Sequence, residues 1–235
     1  MPPTVNVEGL VLLLTPVLLL AAAPAAAPGG PPGRPRRVPL WLKVFHTAFL
    51  AVLVREYWAH YGPVNFLWFS DIALFVLLFA LWLESPLLAS TQAVSVGALE
   101  SAWVLDFLVG LVMGRSPLGL SAYMFEPKTR LFIRGLSLFH LWLPVLLFWL
   151  VWRLGYDRRA WLVQTAVCWV VLPVSYLVSD PKARPPLNIN WALGPGTDPG
   201  KWPAPPLFLL GLMVFLPVCV YLPTHLILSK VFPRR

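Results

Sequence analysis

Residues 64–84, VNFLWFSDIALFVLLFALWLE, decide how the rest of the chain is read. The run is apolar enough to enter a bilayer and long enough to cross one as a helix, which takes about 20 residues. Near its start stand a hydroxyl and a carboxylate, Ser70 and Asp71. An ionisable group inside a span costs about 2.5–3.5 kcal/mol on insertion scales, so it is expected to have a partner or a task. His140, inside another apolar run, is the expected partner.

Composition agrees with a membrane assignment. Mean hydropathy is +0.73 and 12% of the 235 residues are charged, against about 25% in soluble domains. The net charge of +8 is spread over the connections between apolar runs, which is topology charge rather than a nucleic-acid-binding face. Cys168 and Cys219 both fall inside apolar runs, too far apart for a CxxC pair or a disulfide framework.

The chain is expected to be an all-α integral membrane bundle of six core helices, with a signal or anchor segment before them. Residues 1–37 hold a short apolar core, interrupted by Pro16, and a Pro/Gly/Arg linker ending in Arg34, Arg36 and Arg37. Spans are expected at about 38–55, 64–84, 88–113, 131–152, 160–178 and 206–228, together forming a transmembrane domain over 38–229, with a basic tail at 230–235. Pro144, one turn after His140, removes an amide and predicts a kink. Gln164, Cys168 and Ser175 share one face of the fifth span and predict an interior stripe. One set of connections carries nine Lys/Arg against seven on the other. The positive-inside rule therefore makes the face holding Arg153, Arg158, Arg159 and Lys230 cytoplasmic. The expected location is a bacterial inner membrane.

His46, Ser70, Asp71, Asp106 and His140 each lie roughly 9–14 Å below one face at 1.5 Å per residue, the face that the long loop at 180–204 would cover. Glu100 is deeper and turned away from Asp106. A serine needs a base, and a histidine oriented by a carboxylate supplies one. Ser70 as nucleophile, His140 as base and Asp71 or Asp106 as orienter make a candidate catalytic set. Asn188, Asn190 and Trp191 in the loop, with Glu100 and His46, are candidate substrate contacts, the asparagines as oxyanion donors. No HxxxH pairing is present, so neither a metal nor another cofactor is expected. The same polar groups also suit helix pairing or proton relay in a carrier or a structural subunit.

The stretches NFLWFSDIALFVLLFALWLESPLL, FIRGLSLFHLWLPVLLFWLVWRLGYDRRAW, LNINWALGPG and LPTHL resemble a group of bacterial polytopic membrane-associated proteins. More distantly the layout is similar to the YwaF-like integral membrane family, which includes acyltransferases using a cysteine and a histidine on separate helices. That resemblance implies that Ser70 stands where the cysteine would be and that Asp71 matches its aspartate. It also implies that His140 matches the histidine and Asn190-Trp191 the loop motif. Serine in place of cysteine and Phe139 in place of a serine are departures. The function these readings imply is a lipid acyltransferase or lipid hydrolase acting on membrane lipids, with no nucleic-acid partner. The alternative is a non-enzymatic carrier or partner subunit.

Overall fold

The computed structural model describes residues 38–183, 186–195 and 204–232, and these are helical with short connections. The signal-like segment and linker expected over 1–37, the loop residues 196–203 and the last three tail residues lie outside the described residues. The helices are α1 (Leu40–Tyr61), α2 (Phe69–Leu83), α3 (Pro86–Met113), α4 (Leu131–Ser137), α5 (Phe139–Leu154), α6 (Ala160–Val178), α7 (Pro205–Phe215) and α8 (Leu222–Val231). A π-helical segment, Leu216–Tyr221, makes α7 and α8 continuous.

Among the described residues, four helical stretches are long and apolar enough to cross a membrane: Pro86–Met113, Leu131–Leu154, Ala160–Val178 and Pro205–Val231. Their outward faces carry large exposed apolar side chains, among them Val112, Leu131, Leu177 and Leu207. Such a surface suits hydrocarbon rather than water, and the architecture is that of an all-α membrane protein. The second expected span is shorter than its apolar run: Pro63–Leu67 forms a 3-10 turn and leaves α2 only 15 residues. The stretch Leu40–Tyr61 includes Lys43, Arg55 and Glu56.

Helix ends follow local chemistry. The Ser85 hydroxyl accepts from Leu88 N at 3.4 Å and Pro86 opens α3, a favourable start because proline lacks an amide that would be orphaned there. Gly114, at φ +69°, ends it in the left-handed region. Glu84 ends α2 at φ +50°, and its carboxylate takes Val38 N at 3.0 Å and Lys43 Nζ at 2.9 Å. The acid thereby fastens the start of α1 to the end of α2.

α3 is the central helix. Its buried face meets α2, α5 and α6, and Leu74, Leu77, Ala93, Leu143, Leu147, Leu150 and Leu172 are fully enclosed. At Gly97 the approach is so close that a Cβ would stand 2.9 Å from the Phe148 ring. This contact sets the phase of α3 against α5. Pro144 lies inside α5, and the helical stretch is interrupted before it, at Leu138, where bonds shorten to the i→i−3 pattern. The Gln164, Cys168 and Ser175 stripe is buried as expected. Of the two cysteines in apolar runs, Cys168 is buried and Cys219 is exposed.

Pro217 in the last helix frees the Met213 carbonyl, and α6 supplies its partner; a second indole of α6 adds a bond to Pro217 O, which also accepts from Leu222 N. Pro217 cannot donate to Met213 O, which instead accepts from Trp169 Nε1 at 2.9 Å. Trp161 Nε1 donates to Pro217 O at 3.1 Å. A backbone carbonyl without a donor is costly where no water reaches it. Trp169→Phe is therefore expected to cost about 1 kcal/mol. Thermal unfolding in detergent would read this as a fall of about 2–4 °C in Tm, while an unchanged Tm would show that the indole bond contributes nothing.

Candidate functional site

The side chains chosen from the sequence do not form one cluster. The structure gives each a partner, and the partners sort them into a site and its supports.

His140 opens α5, and its Nδ1 meets Glu100 Oε2 of α3 at 2.5 Å. A carboxylate only accepts, so Nδ1 carries the proton and Nε2 presents its lone pair on the opposite edge of the ring. The imidazole is held between rings, Trp103 at 4.4 Å and Phe139 at 4.0 Å between centroids. Both members are nearly enclosed, with side-chain exposures of 12% for His140 and 6% for Glu100. The sequence reading made Asp71 or Asp106 the orienter and Glu100, turned from Asp106, a substrate contact; in the structure the α3–α5 phase instead aims Glu100 at His140.

Asp71, in the first turn of α2, is buried and lies within electrostatic reach of Glu100. Asn65 of the preceding 3-10 turn donates to its Oδ2 at 3.0 Å. Its Oδ1 has no protein partner, and neither has Trp103 Nε1. Around these groups stand Tyr57, Ser137 and Tyr123. Ser137 gives its proton to Ile133 O at 3.0 Å, so Tyr57 donates to Ser137 Oγ at 2.6 Å. Tyr123 reaches in from the connection between α3 and α4. Burial, then the neighbouring Tyr57, pushes its phenol well above the usual range and keeps it a donor. Tyr57, Asn65, Tyr123 and Ser137 were missed in sequence. Of these, only Asn65 carried a signal, standing six residues before the aspartate.

The remaining candidates have other work. Ser70 is half-buried and shares no hydrogen bond with His140, so the expected Ser–His dyad is not assembled. Asp106 is consumed by the 114–121 turn: Ser116 Oγ, Leu118 N at 2.7 Å, Ser121 N at 2.9 Å and Ser121 Oγ at 2.7 Å all donate to it. His46 is fully enclosed and donates Nε2–H to Leu74 O at 2.9 Å, with its ring edge-on to Trp142. It ties α1 to α2 and leaves Nδ1 without a partner. Arg134 caps carbonyls of residues 124, 126 and 129 rather than meeting an acid. Among the described residues no three His, Cys, Asp or Glu side chains converge for a metal.

The loop asparagines are latches, not oxyanion donors. Asn188 donates to Gly194 O at 2.8 Å and accepts from Leu193 N at 3.0 Å. Asn190 adopts the left-handed conformation at φ +52°, which asparagine tolerates better than most residues. Its amide donates to Leu67 O at 2.8 Å and Ser175 Oγ at 2.9 Å, and its oxygen accepts from Phe69 N at 3.1 Å. α2 has no side-chain cap of its own, so Asn190 supplies one from 121 residues away and fixes the turn bearing Ser70 and Asp71. Trp191, also at positive φ, is 39% exposed.

Comparisons with family models, with characterised proteins and with solved structures give no match to this chain.

Proposed function

We propose that the chain is a lipid-modifying enzyme, an acyltransferase or lipid hydrolase, with six spans in a bacterial inner membrane. The observation that carries this reading is the Glu100–His140 pair: a carboxylate on one ring nitrogen leaves the other as a base. Its burial in an apolar bundle supports a substrate that arrives from the lipid.

In this reading His140 Nε2 removes the proton of the acyl acceptor, a water or a lipid hydroxyl. The acceptor oxygen attacks an ester carbonyl carbon. The ester C–O bond then breaks, and the imidazolium returns the proton to the departing alcohol. Glu100 stabilises the positive ring between these steps. Because no bond joins Ser70 to His140, direct activation of the acceptor fits better than an acyl-Ser70 intermediate.

The test is comparative lipid mass spectrometry on membranes containing wild type, His140→Ala or Ser70→Ala at matched folded levels. A lipid that changes with wild type and Ser70→Ala but not with His140→Ala is the expected outcome. Loss with both variants would restore Ser70 as nucleophile. Identical profiles throughout would overturn the enzyme. They would favour a carrier of small solutes or ions, the reading to which the unpartnered Asp71 Oδ1 and Trp103 Nε1 also point.

A further inference from the structure

The link between α5 and α6, residues 155–159, carries a positive charge that its own fold does not use. Asp157 is its one acid. Arg159 occupies both oxygens of that carboxylate, with Nε at 3.1 Å from Oδ1 and Nη2 at 2.8 Å from Oδ2. The adjacent Arg158 is exposed and forms no ion pair among the described residues. It lies instead within electrostatic reach of a second basic group, His225 of α8.

The imidazole of His225 is held in place by its neighbours. Tyr156 Oη meets its Nδ1 at 2.7 Å. The phenol makes no second hydrogen bond among the described residues, so its proton goes to Nδ1 and the hydrogen of the ring sits on Nε2. The rings of Tyr156 and Trp161 stand 5.7 and 6.2 Å away between centroids, and the Trp161 indole is itself tied to Pro217 O. A fixed N–H donor and an unpaired guanidinium therefore share one corner, where the link meets the last helix.

The corner stands at the level of the lipid headgroups. The link joins two membrane-length stretches, and the last helix continues six residues beyond His225 to Val231. Leu162 on α6 and Leu226, the neighbour of His225, are 62% and 50% exposed, so the elements that carry the basic groups also present apolar surface. Two basic groups side by side repel unless an anion joins them.

We propose that Arg158 and His225 bind the phosphate of an anionic lipid headgroup. The guanidinium makes charge-assisted bonds to phosphate oxygens, and His225 Nε2–H supplies another donor. A lipid fits better than soluble phosphate because its acyl chains cover the exposed leucines beside the corner. Basic groups between helices at this level are suited to anionic headgroups. The bound lipid bridges the α5–α6 link and the last helix, and this role is independent of the chemistry at His140.

Native mass spectrometry tests this on the detergent-solubilised full chain mixed with equal amounts of phosphatidylglycerol and phosphatidylcholine of matched acyl chains. The wild type should retain phosphatidylglycerol in preference. Arg158→Gln, a change at an exposed side chain, should weaken that retention about fivefold, the contribution of one basic group at an anionic surface. Lys128→Gln, on the connection at the other end of α3, should leave it unchanged. Equal retention of the two lipids by the wild type overturns the proposal, as does phosphatidylglycerol retention that Arg158→Gln does not alter. An equal loss in Lys128→Gln also overturns it, by showing general attraction to a basic protein. Thermal unfolding separates the two sources of phosphate: phosphatidylglycerol should raise Tm, and inorganic phosphate that raises it as far overturns the lipid as ligand.

Discussion

If the chain acts as the lipid-modifying enzyme proposed above, Glu100→Gln is expected to lower its turnover by about 10²- to 10⁴-fold while leaving Tm close to that of the wild type. The size follows from what the carboxylate does for the ring. Glu100 sits on His140 Nδ1, where its charge both fixes the tautomer and stabilises the imidazolium formed when Nε2 takes a proton. A neutral amide of the same shape can still accept from Nδ1–H, so the rings of Trp103 and Phe139 keep the imidazole in place. It cannot offset a positive ring. Neutralising Glu100 also removes its repulsion with Asp71, which offsets the weaker bond that a neutral amide accepts from His140 Nδ1–H, so Tm should change little. The loss should appear in kcat at substrate saturation, because a group that acts on the transition state changes kcat and kcat/KM together. A purely structural pair predicts the opposite pattern: a lower Tm, with full turnover per folded molecule.

Much of the bundle is readable in the chain because bilayer burial leaves a local mark. Long apolar runs locate α3, α5, α6 and the last helix within a few residues, and the polar stripe Gln164, Cys168, Ser175 identifies the inner face of α6. Asp71 and His140 also stand out in sequence, as ionisable groups in apolar runs. Their partners do not, because partnership depends on rotation. Glu100 meets His140 only through the α3–α5 phase, fixed by the close approach of Gly97 to Phe148. Depth along a helix is written in residue counts. Rotation against a neighbour is written in packing between distant positions, which no single run contains. The loop misled for a related reason. Asn190 reads as a polar residue near a site, but its role as cap for α2 depends on a left-handed turn that carries it to Phe69 N. The π segment shows the limit of local signals: Pro217 and Pro223 mark a disturbed helix without saying that Tyr221 is turned toward Gln164.

Asp106→Ala should give the inverse of the Glu100 result: a large loss of stability with turnover per folded molecule retained. Asp106 looks equally out of place in an apolar helix, but its oxygens accept from Ser116, from Leu118 N and twice from Ser121, closing the 114–121 turn on the end of α3. Asp106 is 2% exposed and Ser121 0%. Removing the carboxylate leaves two backbone amides and two hydroxyls without their acceptor, and of these the two of Ser121 lie where water cannot replace it. Hydrogen bonds to a charged group contribute about 1.5–3 kcal/mol each, partly offset by the cost of burying the charge. A net loss of about 3 kcal/mol follows, most of it from the two donors of the buried Ser121 left without an acceptor. Thermal unfolding should show it as a fall of about 10 °C in Tm. Asp106→Asn should fall between the two, since a carboxamide keeps one acceptor oxygen and turns a donor toward groups that also donate. The connection held by this turn carries Tyr123 to Ser137, so some loosening of the site is expected near the new Tm but not well below it. Turnover lost at temperatures where Asp106→Ala is still folded would move Asp106 from the scaffold into the site and return it to the role that its position beside the membrane face first suggested.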